Sequence, residues 1–173
     1  MAERGRDERA RAVPNAGPRR RVNLPSEALD TIRRHARERA PAECCGALIG
    51  LLTDRPAAAA SSPRPEDEAR VVRVLAARNV AESPTRYQVA PEDIVAAEAE
   101  AAEVGLEVVG WYHSHPSSPP IPSATDLEAA WPWYTYLVVD ASTGEARAWR
   151  LAEDRSGFLE DDLRVGGGGG GGA

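Results

Sequence analysis

Two histidines placed two residues apart, His113 and His115, end a run of strand formers that begins at Leu106. Successive side chains of a strand point to opposite faces, so residues i and i+2 share one. The two imidazoles therefore address one point in space, while Ser114 turns away from it. From Gly110 to Asp126 the chain reads GWYHSHPSSPPIPSATD. The strand is thus followed by a proline-rich turn, then by Ser-x-x-Asp at the head of a helical pattern. That turn can carry the Asp126 carboxylate back to the point the histidines face. Two imidazoles and one carboxylate make a three-ligand zinc set with a fourth position open, the arrangement of catalytic zinc.

Each piece also has an ordinary reading. Ser123 to Asp126 has the form of a helix capping box. Histidines also sit satisfied in protein cores. Capping and ligation are compatible, because Ser123 can start the helix that presents Asp126. A third histidine, His35, lies among arginines on a helix and reads as a surface side chain. Glu43 stands at the start of an apolar strand, where a solvated strand end is the plain alternative to a catalytic carboxylate.

The remaining elements follow in order. Residues 1–20 alternate charges with Gly and Pro and read as a disordered tail. Arg21–Leu24 reads as a short strand. Pro25–Arg39 reads as a helix, with Leu29, Ile32 and Ala36 on one face. Cys44–Leu52 is an almost continuous apolar run, a strand buried on both faces. Thr53–Asp67, rich in Ala, Pro and Ser, reads as a flexible insertion. Arg70–Ala77 and Thr85–Val89 read as strands. Pro91 suits the first turn of a helix that runs to about Val104, with Gly105 closing it. Ser123–Trp131 reads as a third helix, Tyr134–Val139 and Ala146–Leu151 as a hairpin around Asp140–Gly144. The Ser117–Pro122 segment reads as a mobile loop beside the site. Gly166–Ala173 reads as a flexible polyglycine tail. The expected fold is a single-domain α/β sandwich, a mixed and mostly antiparallel sheet flanked by helices.

Composition narrows the function. The chain has 173 residues and a net charge of −6, which disfavours a nucleic-acid surface. No apolar run reaches the roughly 18 residues of a membrane span. The arginine- and glutamate-rich start lacks the apolar core of a secretory signal. The two cysteines, Cys44 and Cys45, are adjacent, so no unstrained disulfide joins them. Together these features lead us to expect a cytoplasmic protein. Both thiols sit in an apolar strand, which argues against a cysteine nucleophile. The Pro-Cys-x-x-Cys signature of zinc deaminases is absent.

His-Ser-His-Pro, six residues, Ser, two residues, Asp resembles the signature of the JAMM (MPN-plus) zinc metalloproteases. Pro41-Ala42-Glu43-Cys44-Cys45-Gly46-Ala47-Leu48-Ile49-Gly50 is similar to the Pro-x-Glu-x-Cys-Gly-x-Leu-x-Gly segment of the bacterial members. The resemblance spans Arg21–Leu163 and implies an MPN-like catalytic domain over those residues, with 164–173 outside it. It implies Zn2+ held by His113, His115 and Asp126. It further implies Glu43 as proton shuttle and Ser123 as donor to the developing oxyanion. Its relatives release residues from the carboxyl end of ubiquitin-like or sulfur-carrier proteins, so such a carrier is the expected partner. The alternative is a non-catalytic MPN-fold scaffold, whose relatives have lost the metal set that is intact here.

Overall fold

The computed structural model describes residues 12, 19–53 and 68–166. Within them the element order is β1 (Arg21–Pro25), α1 (Ser26–Arg39), β2 (Cys45–Leu52), β3 (Glu68–Ala77), α2 (Pro91–Glu103), β4 (Glu107–His115), α3 (Ala124–Ala129), β5 (Thr135–Asp140), β6 (Ala146–Leu151) and β7 (Phe158–Gly166). The insertion expected over Thr53–Asp67 and the polyglycine stretch fall almost wholly outside the described residues, as does most of the N-terminal tail.

The sheet is mixed, and it closes on itself in the order β1-β3-β2-β4-β5-β6-β7. Closure removes the free edges that would otherwise invite pairing with other chains. β2 pairs antiparallel with β3 and β4, and β6 with β5 and β7, while β1 runs parallel to β3 and β7. The parallel pair that matters for function is β4 and β5, in which His113 lies beside Val138 and His115 beside Asp140. Parallel neighbours cannot be joined by a tight turn; they need a long crossover, usually helical. Here residues 116–134 form it, and α3 is its helix.

Two apolar layers cover the sheet. On one side Ala28, Leu29, Ile32 and Ala36 of α1 pack on Val22, Leu24, Leu48, Tyr112 and Leu137. On the other, Ala97 and Ala101 of α2 pack on Ile49, Val108 and Trp111, and Leu127 of α3 packs against Tyr136, Val138 and Trp149. The β2–β4 register slips between Leu48, which pairs with Gly110, and Ile49, which pairs with Val108. This bulge sets the phase of the rest of β4. Tyr112 then faces α1, while Trp111, and with it His113 and His115, faces the α2 and α3 side. Gly110 lies against the Thr135 carbonyl so closely that a Cβ would collide with it. Gly105, at φ +69°, closes α2 as the pattern predicts.

Four expectations need correction. Thr85–Val89 is not a strand; only Val89 forms an isolated bridge, to Asn79. The Asn79 side chain takes up the Gln88 N–H and the Arg86 carbonyl, groups that a ladder would use. α3 stops at Ala129 rather than Trp131, because Ala130 is already extended and Pro132 disfavours helix at the residue before it. Ser117–Pro122 is tethered rather than loose: Pro119 and Pro120 offer their carbonyls to His115 and to the Trp149 indole, at 2.8 and 2.9 Å. Finally, β7 was not expected. Its Asp161 is buried and pairs with Arg20 and Arg150, so a charge occupies a core-facing position. The first strand of the barrel, β1, begins at Arg21, directly after Arg20. The last strand, β7, ends at Gly166. No helix among the described residues is long and apolar enough to cross a membrane.

Candidate metal centre

β4 delivers His113 and His115 to one face, as the i, i+2 spacing predicts, and both are buried. The crossover then folds back and starts α3 at Ser123. A capping box fixes that start: the Ser123 hydroxyl accepts the Asp126 N–H at 3.1 Å, and Asp126 Oδ2 accepts the Ser123 N–H at 2.6 Å. The box also orients the Asp126 carboxylate toward the histidines. Nε2 of His113 lies 3.3 Å from Asp126 Oδ2, and Nε2 of His115 lies 3.9 Å from it. One ligand atom from each of the three side chains falls within 4.8 Å of the others. The capping box is formed, and the same geometry leaves the Asp126 carboxylate facing the two histidines.

The surroundings prepare these atoms for a cation. Nδ1 of His115 lies 2.8 Å from the Pro119 carbonyl oxygen. A carbonyl only accepts, so the ring proton sits on Nδ1 and the Nε2 lone pair faces the pocket. Burial works against the Asp126 charge. The imidazoles of His113 and His115 and the Ser123 N–H outweigh it and hold the carboxyl well below its usual range. Neither ring nitrogen of His113 has a hydrogen-bond partner among the described residues, although both are buried. Buried polar atoms are rarely left so. A metal on the pocket side satisfies Nε2, and a nitrogen, nitrogen, oxygen donor set with room for a further ligand suits zinc.

Glu43 immediately precedes Cys44 and β2. Cys45 pairs with His113, and extending that antiparallel register by two residues sets Glu43 across from His115. It is buried, not a solvated strand end. Its N–H donates to the Ser83 carbonyl at 2.9 Å and its carbonyl accepts from the Asn79 amide at 3.0 Å. Burial pushes the Glu43 carboxyl up to about 7, with His113 and His115 pulling it down and Asp126 pushing it up. Among the described residues Oε2 has no hydrogen-bond partner. Glu43 is thus a buried acid that shares its surroundings with His113, His115 and Asp126.

Other residues fall into structural roles. Ser114 turns away from the pocket and bonds to the backbone of Cys44. His35 is half-buried rather than a free surface side chain, with Nδ1 2.9 Å from the Tyr112 hydroxyl. Burial pushes the Cys44 and Cys45 thiols up to about 11 and about 12, so neither is a ready nucleophile. An open cavity of about 620 Å³, lined by Arg33, Arg34 and Arg37 of α1 and by Ser142–Gly144, contains none of the site residues. Sequence reasoning missed two neighbours. The ring of Tyr87 stacks on His113, and Asn79 bonds to the backbone of Glu43. Both come from the segment between β3 and α2, where the expected strand Thr85–Val89 gave no sign of either contact.

The closed mixed sheet and the grouped His113, His115 and Asp126 match what the JAMM resemblance implies. A family model described as prokaryotic homologs of the JAB domain matches residues 25–152. The chain is 40% identical over 125 residues to a desampylase of Haloferax volcanii, which covers 68% of this chain and 79% of that one. It is 42% identical over 86 residues to a desampylase of Pyrococcus furiosus, covering 50% of this chain and 61% of that one. A solved structure of a protein from Salinibacter ruber superimposes with a TM-score of 0.59 at 38% identity, covering 84% of this chain and 91% of that one. The chain belongs to the JAMM (MPN-plus) family, in its prokaryotic JAB branch.

Proposed function

We propose that this protein is a zinc-dependent isopeptidase that hydrolyses the bond after the C-terminal Gly-Gly of a ubiquitin-like or sulfur-carrier protein. The observation that carries the reading is the convergence of buried His113, His115 and Asp126 beside a carboxyl oxygen of Glu43 that has no hydrogen-bond partner among the described residues. The likeness to two desampylases supports a ubiquitin-like substrate.

His113, His115 and Asp126 hold the metal. Bound zinc supplies Lewis acidity that brings the pKa of water toward about 7 and polarises a carbonyl. Glu43 takes a proton from the attacking water and returns it to the leaving amine. A cation in the pocket favours its carboxylate, which offsets the burial that raises its pKa. The Ser123 hydroxyl points its proton at Asp126 Oδ2, 2.8 Å away, and a rotation of that hydroxyl turns the proton toward a developing oxyanion. A glycine at the scissile position lets the substrate backbone approach the metal where a bulkier residue would be held off. A globular carrier adds contacts remote from the cut, so short peptides are poor substrates. The free, buried thiols of Cys44 and Cys45 suit a reducing cytoplasm, which we propose as the setting of the reaction.

The test is to incubate zinc-loaded protein with small ubiquitin-like carriers extended beyond Gly-Gly and to read intact masses. The expected result is loss of the residues after the second glycine, abolished by a chelator. Cleavage of unrelated denatured proteins with none of the carriers would overturn the assignment.

A further inference from the structure

His115 and His113 are held in different ways. The outer nitrogen of His115 is fixed by the Pro119 carbonyl, the usual way a metal-binding imidazole is oriented. The outer nitrogen of His113 has no such partner among the described residues. Rotation of an imidazole about its last side-chain bond is soft, so something else must fix the plane of this ring. The aromatic ring of Tyr87 lies over it, with centroids 4.4 Å apart and planes 20° from parallel.

The residues flanking Tyr87 are in turn bound by a buried side chain, Asn79. Asn79 donates through Nδ2 to the Arg86 carbonyl at 3.3 Å, and its Oδ1 accepts the Gln88 N–H at 2.9 Å. Those are the residues on either side of Tyr87. The second Nδ2 hydrogen goes to the Glu43 carbonyl at 3.0 Å, and Oδ1 also accepts the Ala81 N–H at 3.0 Å. Both donors and both acceptor positions of the amide are used. One asparagine thus ties the loop under the His113 ring to the backbone of the buried acid.

We propose that Asn79 and Tyr87 act as one positioning unit, which sets the ring plane of His113 through the Tyr87 stack and the placement of Glu43 through the Asn79 amide. The unit rests on the reading of His113 as a metal ligand and Glu43 as the base. Neither residue touches the reacting atoms. The Tyr87 hydroxyl plays no part in the stack, so phenylalanine serves in its place and leucine does not.

The experiment measures zinc affinity by chelator competition and the visible spectrum of the cobalt-substituted protein, with circular dichroism to verify folding. Tyr87→Phe should bind zinc within about twofold of wild type. Tyr87→Leu should bind about 10–100-fold more weakly, the usual loss when the support of a metal ligand is removed, with an altered cobalt spectrum. Asn79→Asp keeps both acceptors and loses both donors, leaving the Tyr87 side chain in place. It should weaken zinc binding, lower kcat with little change in KM, and make a further Tyr87→Leu change cost less than it does alone. Wild-type affinity and spectrum in folded Tyr87→Leu overturn the proposal. Should that variant not fold, wild-type affinity and kcat in Asn79→Asp overturn it. A wild-type protein that binds no zinc, or His115→Ala binding it equally well, overturns the metal-site reading itself and the positioning unit with it.

Discussion

The Cys44 N–H donates to the Ser114 hydroxyl across 2.9 Å, and the Ser114 N–H donates to the Cys44 carbonyl at 3.1 Å. Ser114 sits between the two histidines, and Cys44 directly follows Glu43. This reciprocal pair locks the strand end that carries the imidazoles to the segment that carries the acid. The residue facing away from the pocket thereby holds the two halves of the pocket together.

Ser114→Ala should therefore affect both stability and rate. It leaves the buried Cys44 N–H without its side-chain acceptor, a loss of about 1–3 kcal/mol. Urea unfolding should show that loss, and turnover should fall with it while zinc content stays at the wild-type level.

Ser123→Ala should separate capping from catalysis. Loss of an N-cap costs about 0.5–2 kcal/mol. Loss of a donor to the oxyanion lowers kcat by about 10²–10³-fold. The variant should fold and retain zinc yet turn over at least a hundredfold more slowly, on the order expected for such a donor. A kcat within a few-fold of wild type would limit Ser123 to the capping box.

The thiols set an alkaline limit on stability. In the unfolded chain they titrate at the ordinary 9.0, whereas burial holds them protonated in the native protein up to about 11 for Cys44 and about 12 for Cys45. Above pH 9 the unfolded chain therefore binds fewer protons than the native one, so stability falls as pH rises. Melting temperatures should decline from pH 9 upward, and less steeply in a protein with both cysteines changed to alanine. At pH 8 the native thiols should resist iodoacetamide and react once the chain is unfolded.

The site was more legible in the sequence than the sheet that holds it. His113 and His115 share a face because strand periodicity is strict, and Ser123 to Asp126 announces a helix start through local chemistry alone. Glu43 was placed by its segment's resemblance, and its burial depends on contacts with Ser83 and Asn79 far along the chain. Barrel closure depends on β7, which hides from a hydrophobic pattern because the buried Asp161 is paid for by Arg20 and Arg150 rather than by apolar neighbours. The stack of Tyr87 on His113 and the amide contacts of Asn79 are tertiary, and no local spacing encodes them. The Leu48/Ile49 register slip is likewise set by packing between strands.

The most direct test of the metal centre is zinc per chain, measured by mass spectrometry on purified wild-type protein and on His113→Ala, His115→Ala, Asp126→Ala and Glu43→Gln. One zinc per wild-type chain is expected, with the same content in Glu43→Gln and its loss in the other three. A wild-type chain without zinc after exposure to the metal, or full occupancy in the histidine and aspartate variants, would contradict the assignment.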